Sequence, residues 1–189
     1  LTVGEEMAFT LENHGFPPDE IRRRSKEALA KVHLDGLEER KVSTLSGGQC
    51  QRLVVAAVLA EEPEVLVFDE PTSALDPEGI REFYEMVGEL NQKEGLTVIV
   101  AEHHLEATLP FAKKFILMNQ GKIISQGTPE EVMRAMKQNH IYEEAIPDMY
   151  RAQLTLEDQG ISFEKPFLNI RDAEQSVMDS FEKGEGKHA

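Results

Sequence analysis

Three stretches of the chain hold residue types whose spacing could do chemistry on a phosphate. Ser46-Gly47-Gly48-Gln49 sets a serine and two glycines ahead of the helix-forming run Gln51 to Ala60, with a glutamine three residues after the serine, the spacing of a reciprocal helix N-cap. The unpaired N–H groups of such a first turn, aided by the helix dipole, present a site for an anion, and the Ser46 hydroxyl adds a donor. Asp69-Glu70 closes the apolar run Val65 to Phe68. A carboxylate there can hold a magnesium ion through water, because magnesium keeps much of its hydration shell, and Glu70 is placed to orient or deprotonate an attacking water. His103 stands just beyond a second apolar run, Thr97 to Ala101, where an imidazole brought beside Glu70 could contact a terminal phosphate and position the water.

Taken alone, each feature has a plainer reading. A serine-glycine-glycine turn commonly caps a helix, and an acid at a strand end is commonly a solvated terminus. Asp76 ahead of Pro77 is a helix N-cap by type. His103-His104 could suggest a metal site, but adjacent residues rarely converge on one ion and no cysteine lies nearby.

These side chains need elements that hold them in place. Val65 to Phe68 and Thr97 to Ala101 are short continuous apolar runs of the kind expected for strands buried on both faces. Between them Ile80, Phe83, Tyr84, Val87 and Leu90 recur at helical spacing until Gly95. Strand, helix and strand form a parallel βαβ unit, and open α/β sheets place ligands beyond the carboxyl ends of such strands. Upstream, Thr2 to Arg40 predicts a small helical lobe, broken at Gly15-Phe16-Pro17-Pro18. Downstream, Asn119-Gln120-Gly121-Lys122 predicts a hairpin turn, and Thr128-Pro129-Glu130-Glu131 a capped helix. Ile146-Pro147-Asp148 opens a further helix, Asp172 with Gln175 caps a last one, and the end from Lys183 is expected to fray.

Composition narrows the function. A net charge of −15 over 189 residues, with pI near 4.8, repels nucleic-acid phosphates, so no nucleic-acid partner is expected. The longest apolar run, Leu53 to Ala60, is far short of the roughly 18 residues of a membrane span. No secretion signal opens the chain, and Cys50, the single cysteine, excludes an internal disulfide. A cytoplasmic location is the expectation, with any membrane crossed by a partner.

Leu45 to Gln49, Val65 to Glu70, Ser73-Ala74-Leu75-Asp76 and His103 resemble, in order, the signature motif, Walker B, D-loop and switch histidine of ABC ATPases. The resemblance implies a fold of the P-loop NTPase (RecA-like) α/β class: a parallel sheet with a helical subdomain and a mainly helical C-terminal extension. It divides the chain into 1–62, the helical subdomain with the signature and its helix; 63–137, a catalytic core part; and 138–189, the extension. It implies ATP and Mg2+ as cofactors. Ser46, Gly47, Gly48, Gln49 and Asp76 would bind nucleotide across a dimer interface, Asp69 would hold the metal, and Glu70 and His103 would be catalytic. The partners implied are a second ABC ATPase subunit, identical or not, and transmembrane transporter subunits, at the cytoplasmic face of the cell membrane. Thr2-Val3-Gly4-Glu5-Glu6-Met7-Ala8-Phe9 with Leu11-Glu12-Asn13 and Pro17-Pro18 is similar to the helical lobe of energy-coupling factor ATPases, which power vitamin and transition-metal uptake. The tail from Ile146 to Val177 resembles that group's extension, which pairs the ATPase subunits; the rival reading is a linker into a second ATPase domain.

The sequence has no G-x-x-x-x-G-K-[ST] loop, which in the family lies upstream of the matching segment. An N-terminally truncated chain, inactive by itself, is the expectation. Two alternatives to a transporter motor are a silent subunit that completes a partner's ATP site and a soluble ABC ATPase outside transport. Acidity and the lack of a coiled-coil insertion disfavour the latter.

Overall fold

The computed structural model describes residues 1–163, 166–167 and 170–185. They form two compact units, Leu1–Glu102 and His103–Ala189.

The first unit opens with the expected helical lobe. Helix α1 (Val3–Asn13) starts at a capping box in which Thr2 Oγ1 accepts from the Glu5 N–H and Glu5 Oε2 accepts from the Thr2 N–H. It buries Val3, Met7 and Leu11, one stripe at i, i+4 and i+8. Helix α2 (Pro18–Lys31) starts with proline at its first position and buries Ile21, Ser25, Ala28 and Leu29. Helix α3 (Gly47–Leu59) buries Leu53, Val55, Ala56 and Leu59. Arg24 ties this lobe together: its Nη1 donates to the Ala60 carbonyl at 3.1 Å, and its guanidinium lies 4.5 Å from the Phe16 ring centre.

Strands β1 (Val65–Asp69) and β2 (Thr97–Ala101) pair in parallel, from Val65 opposite Thr97 to Asp69 opposite Ala101, and α4 (Pro77–Lys93) joins them. That is the βαβ unit expected. The expected burial of both strand faces does not hold. Leu66 is buried and Phe68 meets Phe83 of α4 edge-to-face at 5.5 Å, but Val65, Val67 and Ile99 are exposed, Val67 by 70%. An apolar run states that a strand is suited to burial; it does not state how many layers cover it, and among the described residues this two-stranded sheet is covered on the Leu66–Phe68 face.

In the second unit, α5 (Leu105–Thr108) precedes the hairpin of β3 (Phe115–Asn119) and β4 (Lys122–Gly127). Gln120 and Gly121 both have positive φ, 49° and 72°, as a two-residue turn that matches strand twist requires. Helix α6 (Pro129–Asn139) repeats the capping box through Thr128 and Glu131. With α7 (Asp148–Asp158) it closes a core of Leu117, Val132, Met133, Met136, Tyr150 and Leu154. Helix α8 (Ile170–Glu185) starts two residues before the Asp172 cap predicted for it, so Asp172 lies in its first turn. Residues 183–185, the start of the end expected to fray, belong to this helix, and residues 186–189 lie outside the described ones. No helix among the described residues is long and apolar enough to cross a membrane.

Candidate functional site

The loop that leads to α3 is strapped to the start of the chain. The Gly4 N–H donates to the Glu38 carbonyl at 2.8 Å, and a Cβ on Gly4 would stand 3.2 Å from that oxygen, so the close approach selects glycine. Arg40 then holds the next turn, donating to the Thr44 carbonyl at 2.8 Å. At the helix start, Ser46 Oγ accepts from the Gln49 N–H at 3.2 Å and Gln49 Oε1 accepts from the Ser46 N–H at 3.1 Å. The capping box read from the sequence is therefore present. The Cys50 N–H goes to the Ser46 carbonyl, and among the described residues the N–H groups of Gly47 and Gly48 meet no acceptor. Ser46 and Gly47 are exposed, and a Cβ on Gly48 would meet open space. Such a terminus can receive an anion.

Gly47 also adjoins the turn after β1: a Cβ there would lie 3.9 Å from the Ala74 carbonyl oxygen and 4.0 Å from Leu75 Cδ2. The fold thus brings the start of α3 alongside Ser73-Ala74-Leu75-Asp76. Asp76 Oδ1 accepts from the Gly79 N–H at 2.8 Å and caps α4, as its type predicts.

Asp69 is the last residue of β1, and Glu70 follows it; both are exposed. Glu70, at φ 46°, is one of six non-glycine residues with positive φ among the described residues, a conformation that carries strain and is kept by its surroundings. Its N–H continues the sheet ladder to the Ala101 carbonyl at 2.9 Å. His103 is exposed and is the first residue of the second unit. His104 stands at the N-cap of α5 without a side-chain capping bond.

One residue of this region was not singled out from the sequence. Glu102, half-buried at the exit of β2, accepts hydrogen bonds from Thr72 Oγ1 at 2.7 Å and from the Tyr84 hydroxyl at 3.1 Å. Burial, and then the negative charge of Glu102, push the Tyr84 phenol above its ordinary range, so it remains a donor at neutral pH. The one local signal was an acid directly after an apolar strand.

Among the described residues there is no group of three or more His, Cys, Asp or Glu side chains able to enclose a metal ion. One exposed strand-end carboxylate suits magnesium that keeps its waters and leans on substrate phosphates, rather than a closed protein cage.

Comparison with known proteins agrees with this geometry. Residues 1–73 match the family described as ABC transporter. The energy-coupling factor transporter ATP-binding protein EcfA1 of Clostridium novyi (strain NT) is 37% identical over 168 residues, 89% of this chain and 60% of that protein. EcfA2 of Bacillus cereus (strain ATCC 14579) is 36% identical over 185 residues, 97% of this chain and 63% of that protein. The chain thus spans less than two thirds of the length of these curated relatives. Among solved structures, cbiO1 from Clostridium perfringens, described as part of the ABC transporter complex cbiONQ, superposes with a TM-score of 0.64 at 34% identity, over 72% of this chain and 57% of that one. In its motifs, its βαβ unit and these likenesses, the chain is similar to ABC transporter ATPase domains, and its curated relatives include energy-coupling factor ATP-binding proteins.

Proposed function

We propose that the chain supplies ATP binding and hydrolysis to an energy-coupling factor type importer for a vitamin or a transition metal. The observation that carries the proposal is the presence, in one compact unit, of a helix start with two N–H groups that meet no acceptor among the described residues and an exposed Asp69-Glu70 pair at the carboxyl end of a parallel strand. Ser46, Gly47, Gly48 and Gln49 receive the terminal phosphate of ATP held by a partner subunit, and Asp76 reaches towards that subunit. Asp69 would hold Mg2+, which would neutralise charge developing on the phosphates. Glu70 orients or deprotonates the attacking water, and His103 positions it. Residues 1–62 act as the helical subdomain, 63–137 as a core part and 138–189 as an extension that pairs subunits, with transmembrane subunits at the cytoplasmic face of the membrane.

Without a G-x-x-x-x-G-K-[ST] loop among them, these 189 residues by themselves bind ATP weakly and turn it over negligibly. The test is association with an ATPase subunit that carries an intact phosphate loop, followed by light scattering. ATP should drive association and ADP should not. Association independent of nucleotide, or turnover by the chain alone, would refute the proposal.

A further inference from the structure

A charged carboxylate taken partly out of water is costly unless hydrogen bonds compensate for the loss. At Glu102 two of them come from hydroxyls that are themselves buried, since Thr72 and Tyr84 are each only 2% exposed. Glu102 Oε2 accepts both bonds, so one atom joins the turn after β1, helix α4 and the exit of β2. A neutral, well-packed trio would hold these segments without desolvating a charge. What the carboxylate adds is direction. Glu70 is bracketed by two pins: its own N–H bonded to the Ala101 carbonyl, and, two residues on, the Thr72 hydroxyl bonded to Glu102, the residue that follows Ala101. Between these pins the chain keeps the left-handed Glu70, which an untethered turn would relax.

We propose that Glu102 is a positioning residue for hydrolysis: by clamping Thr72 it fixes the direction in which the Glu70 carboxylate leaves the strand end. The inference rests on the proposed role of Glu70 as the group that acts on the attacking water. Glu102 acts through the turn and touches no reacting atom.

The test uses Thr72→Val, Thr72→Ser and Glu102→Ala in the full-length protein, assembled with its partner subunits. Val is close in volume to Thr but cannot donate, so Thr72→Val should lower kcat about 10-fold to 100-fold with KM for ATP little changed, as expected for misplacement of a reacting group. Thr72→Ser should restore kcat. Glu102→Ala should match Thr72→Val, and the double variant should be no worse than either alone. Amide exchange at residues 70–75 should quicken in Thr72→Val and Glu102→Ala, with α3 unchanged. A folded Thr72→Val enzyme with full kcat, or losses that multiply in the double variant, would overturn the inference; if Glu102→Ala fails to fold, Thr72→Val and Thr72→Ser decide. Should Glu70→Gln keep full turnover, the functional proposal fails instead, and the exchange rates still report whether the clamp exists.

Discussion

The Glu70 N–H donates to the Ala101 carbonyl at 2.9 Å, extending the β1–β2 ladder by one residue even though Glu70 sits at φ 46°. A left-handed non-glycine residue carries a penalty of about 1–2 kcal/mol that glycine does not. Glu70→Gly should therefore be more stable to thermal unfolding, by about 1 kcal/mol after the larger chain entropy of glycine is allowed for, while losing the carboxylate. A destabilised Glu70→Gly protein would show that the side chain supports the fold.

Gly48 separates fold from function in another way. Its missing Cβ faces open space, and alanine is the better helix former by about 1 kcal/mol at interior positions, less in a first turn. Gly48→Ala should keep or slightly raise the melting temperature. If the start of α3 must approach a phosphate, the same change should abolish ATP-driven association. Unaltered association would remove α3 from the nucleotide site.

Asp76 has a capping role that the structure displays and a partner-directed role that is proposed. Asp76→Ala removes the 2.8 Å bond to the Gly79 N–H and should cost about 1 kcal/mol in denaturant unfolding. Serine also caps, so Asp76→Ser should recover most of that loss. Both variants should weaken ATP-driven association, because neither carries the charge. Full association by Asp76→Ser would reduce Asp76 to a cap.

The helical lobe should respond to acid through Glu20. Hydrogen bonds from Arg23 and then Arg24 hold its carboxyl down at about 2, against an ordinary value of 4.5. A carboxyl lowered by folding contributes stability that is present above the ordinary value and is lost as pH falls towards the lowered one. The difference in melting temperature between the natural chain and Glu20→Gln should be greatest near neutrality and vanish between about pH 4.5 and pH 2. A pH-independent difference would mean that Glu20 acts by packing alone.

Much of this architecture is legible in the sequence because it is written locally. The capping boxes at Thr2 and Glu5, Ser46 and Gln49, and Thr128 and Glu131 each lie within four residues, and all are present. The Gln120-Gly121 turn and the Pro77 helix start are also local chemistry. Exposure of Val67 and Ile99 is not local, since it depends on which layers cover the sheet. Nor is the Thr72–Glu102 bond, which joins residues 30 apart: no periodicity marks a carboxylate that turns inward at a strand exit. Spacing shows where Asp69, Glu70, Ser46 and Asp76 emerge, because strand ends and helix caps fix that locally; the roles proposed for them come from the resemblance, and Glu102 needed the tertiary fold.

The central claim is that Glu70 acts on the water that cleaves ATP. The most direct measurement is ATP turnover and nucleotide retention by Glu70→Gln in the full-length protein assembled with its partner subunits. Loss of a group acting on the water should lower kcat by about 100-fold or more and leave uncleaved ATP trapped in a closed dimer. Turnover equal to that of the natural protein, with no trapped nucleotide, would contradict it.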